Sequence, residues 1–171
     1  TWPESGPVYA PDWSPIAECG HGLHGLLWGE GDSALLDWSP AARWLVVEVD
    51  SEEIVDLHGK VKFPAATVVH CGDRGTATRY LAEHGGAGRQ ITGYTATAGY
   101  RGTATAGDDG TATAGYRGTA TAGRGGCIAI RHCFRETSSC RLVVGCVGDN
   151  GLKPGIKYRV DESGHLVEVT P

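Results

Sequence analysis

The residues best suited to chemistry lie near the N-terminus, in Cys19-Gly20-His21-Gly22-Leu23-His24. A thiolate and two imidazoles in so short a span suit a borderline-soft ion such as zinc. Cys19, His21 and His24 are therefore candidate metal ligands, and Cys71, beside His70, could complete a set of four. The spacing lacks a second half such as another Cys-x-x-Cys. A glycine-rich loop also accounts for it, with His21 or His24 satisfying backbone groups and Cys19 as a small buried filler. No Gly-x-Ser-x-Gly, P-loop, dinucleotide fingerprint or His-Glu-x-x-His occurs. Glu30, Asp32 and Asp37 have no evident partner and read as solvated or capping residues. No catalytic residue and no cofactor is assigned.

Four further cysteines form a pattern. A hairpin turning between Glu136 and Thr137 sets Cys133 opposite Cys140 and Cys127 opposite Cys146, with all four side chains on one face. Cross-strand separations at non-hydrogen-bonded sites suit disulfides, so Cys127–Cys146 and Cys133–Cys140 are candidate bridges. The alternative is four reduced, packed thiols in a cytosolic protein. One zinc ion held by all four thiolates does not fit, because the two pairs lie about 20 Å apart along the strands.

The third group is a set of threonines. Thr-Ala-Thr-Ala recurs every eight residues from Thr95 to Ala122, separated by Tyr100-Arg101, Asp108-Asp109 and Tyr116-Arg117, each between two glycines. The corners alternate, so the full unit is sixteen residues. A fixed short period is the mark of a solenoid, here with two short strands and two tight turns per coil. Glycine is expected to supply positive φ at the corners. Tyr100 stacks on Tyr116 and Arg101 on Arg117, while Asp108 stacks over Arg124. After the last repeat, Cys127-Ile128-Ala129-Ile130 puts bulky apolar residues at alanine positions. Extending the frame backwards matches Val61 to an alanine, and Lys60 and Lys62 to threonines. Alanine is thus inside and threonine outside. Thr95, Thr97, Thr111 and Thr113 form one outer face, and Thr103, Thr105, Thr119 and Thr121 the other. Rows roughly 7 Å apart along a strand and 4.8 Å between strands would array methyls and hydroxyls regularly against water.

These groups need elements to hold them. Residues 43–49 and 65–70 read as strands, and residues 77–84 as a helix with Tyr80 and Leu81 inward. Asp73 or Thr76 could serve as its N-cap, and Gly85-Gly86 ends it. Two hairpins close the chain, one over 127–147 and one over 157–169, the latter turning at Glu162-Ser163-Gly164. The predicted fold is mainly β, a thin β-solenoid of sixteen-residue coils. Residues 1–92 form an α/β N-terminal cap, 93–130 the repeats and 131–171 a β-hairpin C-terminal cap. Solenoid ends need such caps because they expose unpaired strand edges.

A net charge of −5 gives no basic stripe, so nucleic acid and anionic membranes are unsuitable partners. No apolar run approaches twenty residues, and no signal peptide is evident. The chain starts with Thr and has no Met, which is consistent with removal of an N-terminal segment. The sequence favours a cytoplasmic location and leaves export open; it does not set the oligomeric state.

The octapeptide block, with its Ala-Gly-Tyr corners and Thr-x-Thr faces, resembles the repeats of bacterial ice-nucleation proteins over residues 93–126. The whole chain resembles a group of uncharacterised bacterial proteins. These join a Cys-x-x-Gly-Leu/Phe-His module (here Cys19 to His24) to Thr-Ala-Thr-Ala-Gly repeats and a closing module like the stretch from Val147 to Tyr158. That likeness implies an architecture and no activity. The group carries aromatic residues near positions 133 and 146, so the cysteines are a departure suited to stapling the cap. Three functions are weighed. One is a structural or interaction module for a protein partner, without catalysis. Another is an ice- or water-binding surface on the threonine faces, and the last an enzyme or toxin domain around His21 and His24.

Overall fold

The computed structural model describes residues 1–134 and 139–170. The protein is mainly β, and its chain divides into two compact units, Thr1–Gly86 and Ala87–Pro171. The expected hairpin turn at Glu136-Thr137 lies outside the described residues.

The first unit contains β1 (Gly6–Tyr9), β2 (Leu23–Gly25), β3 (Trp44–Glu48), β4 (Val55–Asp56), β5 (Val61–Phe63), β6 (Ala65–Gly72) and α1 (Arg74–Leu81). β1, β6 and β3 make one antiparallel sheet, and β2, β5 and β4 another. Val61, Phe63 and Ala66 are buried at its centre. The helix starts three residues before the sequence expectation. Asp73 is its cap, accepting the Thr76 N–H at 2.8 Å, which satisfies one of the unpaired donors of the first turn. It opens into a wider turn over Ala82–Gly86, and Gly85 at φ 109 ends the run. The backward extension of the repeat frame places Val61 inward, as found, but fails at Lys62. That frame points Lys62 outward, yet the residue is 1 % exposed and sits in β5 between β2 and β4. Its ammonium donates to the carbonyls of Glu18 and Gly20 and lies 5.6 Å from the Trp13 ring centroid. A buried charge needs such partners, and they come from a loop some forty residues away.

The second unit holds β7 (Thr95–Ala98), β8 (Thr103–Thr105), β9 (Thr111–Ala114), β10 (Thr119–Thr121), β11 (Cys127–Cys133), β12 (Cys140–Cys146), β13 (Lys157–Val160) and β14 (Leu166–Glu168). They form two four-stranded sheets, ordered β12-β11-β9-β7 and β14-β13-β10-β8. β7, β9 and β11 run parallel, each residue opposite the one sixteen positions on: Ala96 faces Ala112, which faces Ile128. β8 and β10 pair with the same offset. Ala96, Ala104, Ala106, Ala112, Ala114, Ala120 and Ala122 are all at most 5 % exposed and cluster with Ile128, Ile130 and Tyr158. Alternation along each strand therefore places alanine within and threonine without.

The corners differ from expectation in one respect. Positive φ falls on the second corner residue, Arg101 (57°), Asp109 (50°) and Arg117 (59°), and not on the flanking glycines. Those glycines answer a different need, close approach of neighbouring backbones. A Cβ on Gly115 would sit 2.6 Å from the Gly99 carbonyl carbon, and one on Gly107 would strike the Gln90 carbonyl. The Tyr100 and Tyr116 rings lie 6.2 Å apart, tilted by 32°, each beneath its neighbouring arginine. On the other edge Asp108 accepts the backbone N–H of Arg124 at 2.7 Å.

Candidate functional site

The threonine faces come first. On the sheet ordered β12-β11-β9-β7, Thr95 stands opposite Thr111 and Thr97 opposite Thr113. Thr95, Thr97 and Thr111 are exposed and Thr113 is half-buried. On the other sheet Thr103 is exposed, Thr105 and Thr119 are half-buried, and Thr121 is only 5 % exposed. Thr121 faces Lys157 across the antiparallel β10–β13 pair. The hydroxyls of Thr103 and Thr119 lie 3.0 Å apart and hydrogen-bond each other. The repeat thus yields two faces of unequal character, although both are built from the same Thr-Ala-Thr-Ala tetrapeptide.

The four cysteines of the second unit pair as the hairpin register dictates. Cys127 faces Cys146 and Cys133 faces Cys140, with sulfurs at bonding distance and Cα separations of 4.0 and 4.1 Å. Strand alternation puts both pairs on the outer face that carries Thr95 to Thr113. Next to them Leu142 and Val144 are 58 % and 62 % exposed. Sequence reasoning singled out neither residue. The signal was available, since both share the parity of Cys140 and Cys146, which the hairpin register turns outward.

Cys19, His21 and His24 are not brought together. The run Gly20, His21, Gly22 has φ of 97°, 49° and 134°, which turns successive side chains apart. Cys19 is exposed and accepts a hydrogen bond from the Lys60 ammonium at 3.0 Å, which, with the charge of Lys60, holds its thiol below the ordinary value. His21 turns to Asp12, with Nδ1 3.5 Å from the carboxylate. His24 lies in β2 opposite Lys62. Burial first, then the charges of Lys60 and Lys62, push its imidazole down, and its Nε2 is buried without a partner among the described residues. Among the described residues no group of three or more His, Cys, Asp or Glu side chains is placed to hold a metal. A cavity of about 340 Å³ opens beside this loop, lined by Asp12, Trp13, His21 and Lys62 among others. Another arrangement absent from the sequence reading is a stack of His70, Tyr80 and His84, with ring centroids 5.2 and 3.9 Å apart.

No protein-family model and no solved structure matches the chain. Curated proteins do. The chain is similar to ice nucleation proteins over about half its length. It is 46 % identical over 82 residues to an ice nucleation protein of Pseudomonas syringae, a stretch covering 47 % of this chain and 7 % of that protein. It is 45 % identical over 83 residues to one of Xanthomonas campestris pv. translucens, covering 47 % and 5 %. Ice nucleation protein InaU of Pantoea ananas is 40 % identical over 85 residues, covering 48 % and 8 %. The chain therefore spans less than a tenth of the length of these relatives. The matched stretch is longer than the repeat block of residues 93–126, so the likeness extends past the octapeptides.

Proposed function

We propose that this chain is a non-catalytic module whose sixteen-residue coils form a thin β-solenoid that presents threonine rows to water or ice. In this reading residues 1–92 are an α/β module, 93–130 the coils and 131–171 a β-hairpin cap. The observation that carries it is the register of Thr95 with Thr111 and Thr97 with Thr113, on a sheet whose opposite face is buried alanine. Alanine beneath keeps the strands flat and close, so the outer methyls and hydroxyls repeat at roughly 4.8 Å between strands and 7 Å along them. Similarity to proteins named for ice nucleation supports the same reading.

The test is recrystallisation inhibition and thermal hysteresis with the full chain at micromolar concentration and upward. Restricted ice growth at micromolar protein is the expected result. No effect at any concentration the protein tolerates removes the reading. It leaves a second one, a structural scaffold for a protein partner, which the small number of rows favours: each sheet carries only two complete Thr-x-Thr strands.

A further inference from the structure

The two outer faces differ in what surrounds their threonines. On the β10–β8 sheet, Thr103 and Thr119 turn their hydroxyls to each other and Thr121 is nearly buried. The next strand adds charge, because Lys157 stands opposite Thr121 and Arg159 follows on the same side of β13. An ammonium or guanidinium in the plane of a surface that must shed its own hydration is costly when unpaired. That face is closed to a flat, weakly hydrated partner.

The other sheet continues differently. Its register extends Thr95 and Thr111 to Cys127 and Cys146, and Thr97 and Thr113 to Ala129 and Val144. Two rows of four side chains thus cross the whole sheet with no charged residue in either. The next row, Arg131 opposite Leu142, carries the first charge and bounds the patch. Cys127 and Ala129 occupy the positions that a third Thr-x-Thr strand would take. Ala129 keeps a methyl there, and Val144 adds two more, 62 % exposed. The Cys127–Cys146 link ties β12 to β11 within this plane. The working area spans four strands, roughly 14 Å across three inter-strand steps, and not the two that carry threonine.

We propose that the ice-contacting surface is this single four-stranded face, and that Ala129, Val144 and the Cys127–Cys146 bridge belong to it. The assignment rests on the water- or ice-presenting reading above and deepens it by naming the face. Continuity with the threonine rows, uncharged rows and exposed methyls at strand spacing suit an ice plane, whose waters are held at fixed positions and gain from methyls seated between them.

Val144 decides the matter because it lies two strands from Thr113, outside any threonine-only site. Recrystallisation inhibition is compared for the full chain and for Val144→Lys, Val144→Asn and Val167→Lys. Val167 stands opposite Arg159 on the other sheet. The concentration needed should rise at least about tenfold for Val144→Lys, since its ammonium would be desolvated without a partner. It should rise several-fold for the uncharged Val144→Asn, and stay within about twofold for Val167→Lys, whose face already carries charge. Melting curves and thiol counts verify that each variant keeps its fold and its bridges; Val144→Asn carries the comparison if the lysine variant does not fold. Unchanged activity in a folded Val144 variant, or equal loss in Val167→Lys, overturns the four-strand assignment while the threonine reading stands. An inactive parent chain removes both, so the two failures are told apart.

Discussion

Ala112 is the position where the alanine core is most sharply tested. It lies in the central strand β9, opposite Ala96 on one side and Ile128 on the other, and has no exposed surface. Ala112→Leu puts an isobutyl group where a methyl now fits between two sheets. Overpacking of this kind costs about 1–3 kcal/mol. The upper part of that range applies, because the sheets cannot part freely. The corners that join them are tight: Gly102 N–H donates to the Gly99 carbonyl at 3.0 Å and Gly118 N–H to the Gly115 carbonyl at 2.9 Å. For a unit of the size of Ala87–Pro171, about 2–3 kcal/mol corresponds to a fall in melting midpoint of roughly 8–24 °C. The outward change Thr113→Val keeps shape and strand preference, and should shift stability by no more than about 0.5 kcal/mol. Far-UV circular dichroism follows the melt. All five tryptophans lie in the first unit, so their fluorescence serves as an internal reference that neither change should move. Equal shifts from the two substitutions, or a larger one from Thr113→Val, would refute the inward and outward assignment.

Three further outcomes follow from the cysteines. Thiol titration of the unreduced, denatured chain should find the two free cysteines, Cys19 and Cys71, and all six after reduction; six in both states would refute the bridges. Reduction should destabilise the second unit by about 2–4 kcal/mol through the longer-range Cys127–Cys146 link, read as a lower melting midpoint in reductant. In a Cys71→Ser background, the pH midpoint for alkylation of Cys19 should move upward with Lys60→Met. The ammonium hydrogen bond that favours the thiolate is then gone. An unmoved midpoint would mean that Lys60 does not set the reactivity of this thiol.

What was legible in the sequence divides along local and long-range lines. The inward alanines were legible because period two along a strand is a local rule, and Ile128 and Ile130 betray which parity faces the core. The cysteine pairing was legible for the same reason, since one hairpin register fixes both pairs. The corner glycines mislead because repetition gives the frame and not the torsions. Both a positive φ and a close backbone neighbour demand glycine, and only Gly115 and its equivalents pressed against the next turn tell the two apart. Lys62 escapes because its partners, Glu18, Gly20 and Trp13, come from a distant loop that no frame relates to it. Cys19, His21 and His24 look convergent as letters, but φ values at Gly20, His21 and Gly22 send them apart.

The inequality of the threonine faces has the same origin. A repeat encodes translation, and translation treats every threonine alike. What breaks the equivalence is where translation stops: one sheet passes from its repeats to a cysteine-linked hairpin bearing Val144, and the other to a strand bearing Lys157 and Arg159. Thr121 loses its exposure to that second boundary, whereas Thr111 keeps its own. On the proposed ice-presenting reading, the behaviour of so short an array is therefore governed by its edges. A chain with many more coils would dilute them, and its two faces would converge in character. If the uncharged face contacts ice as proposed, inserting one sixteen-residue unit before Gly107 should lower the protein concentration needed for recrystallisation inhibition, while leaving the charged boundary of the other face unchanged; an unchanged concentration would refute this.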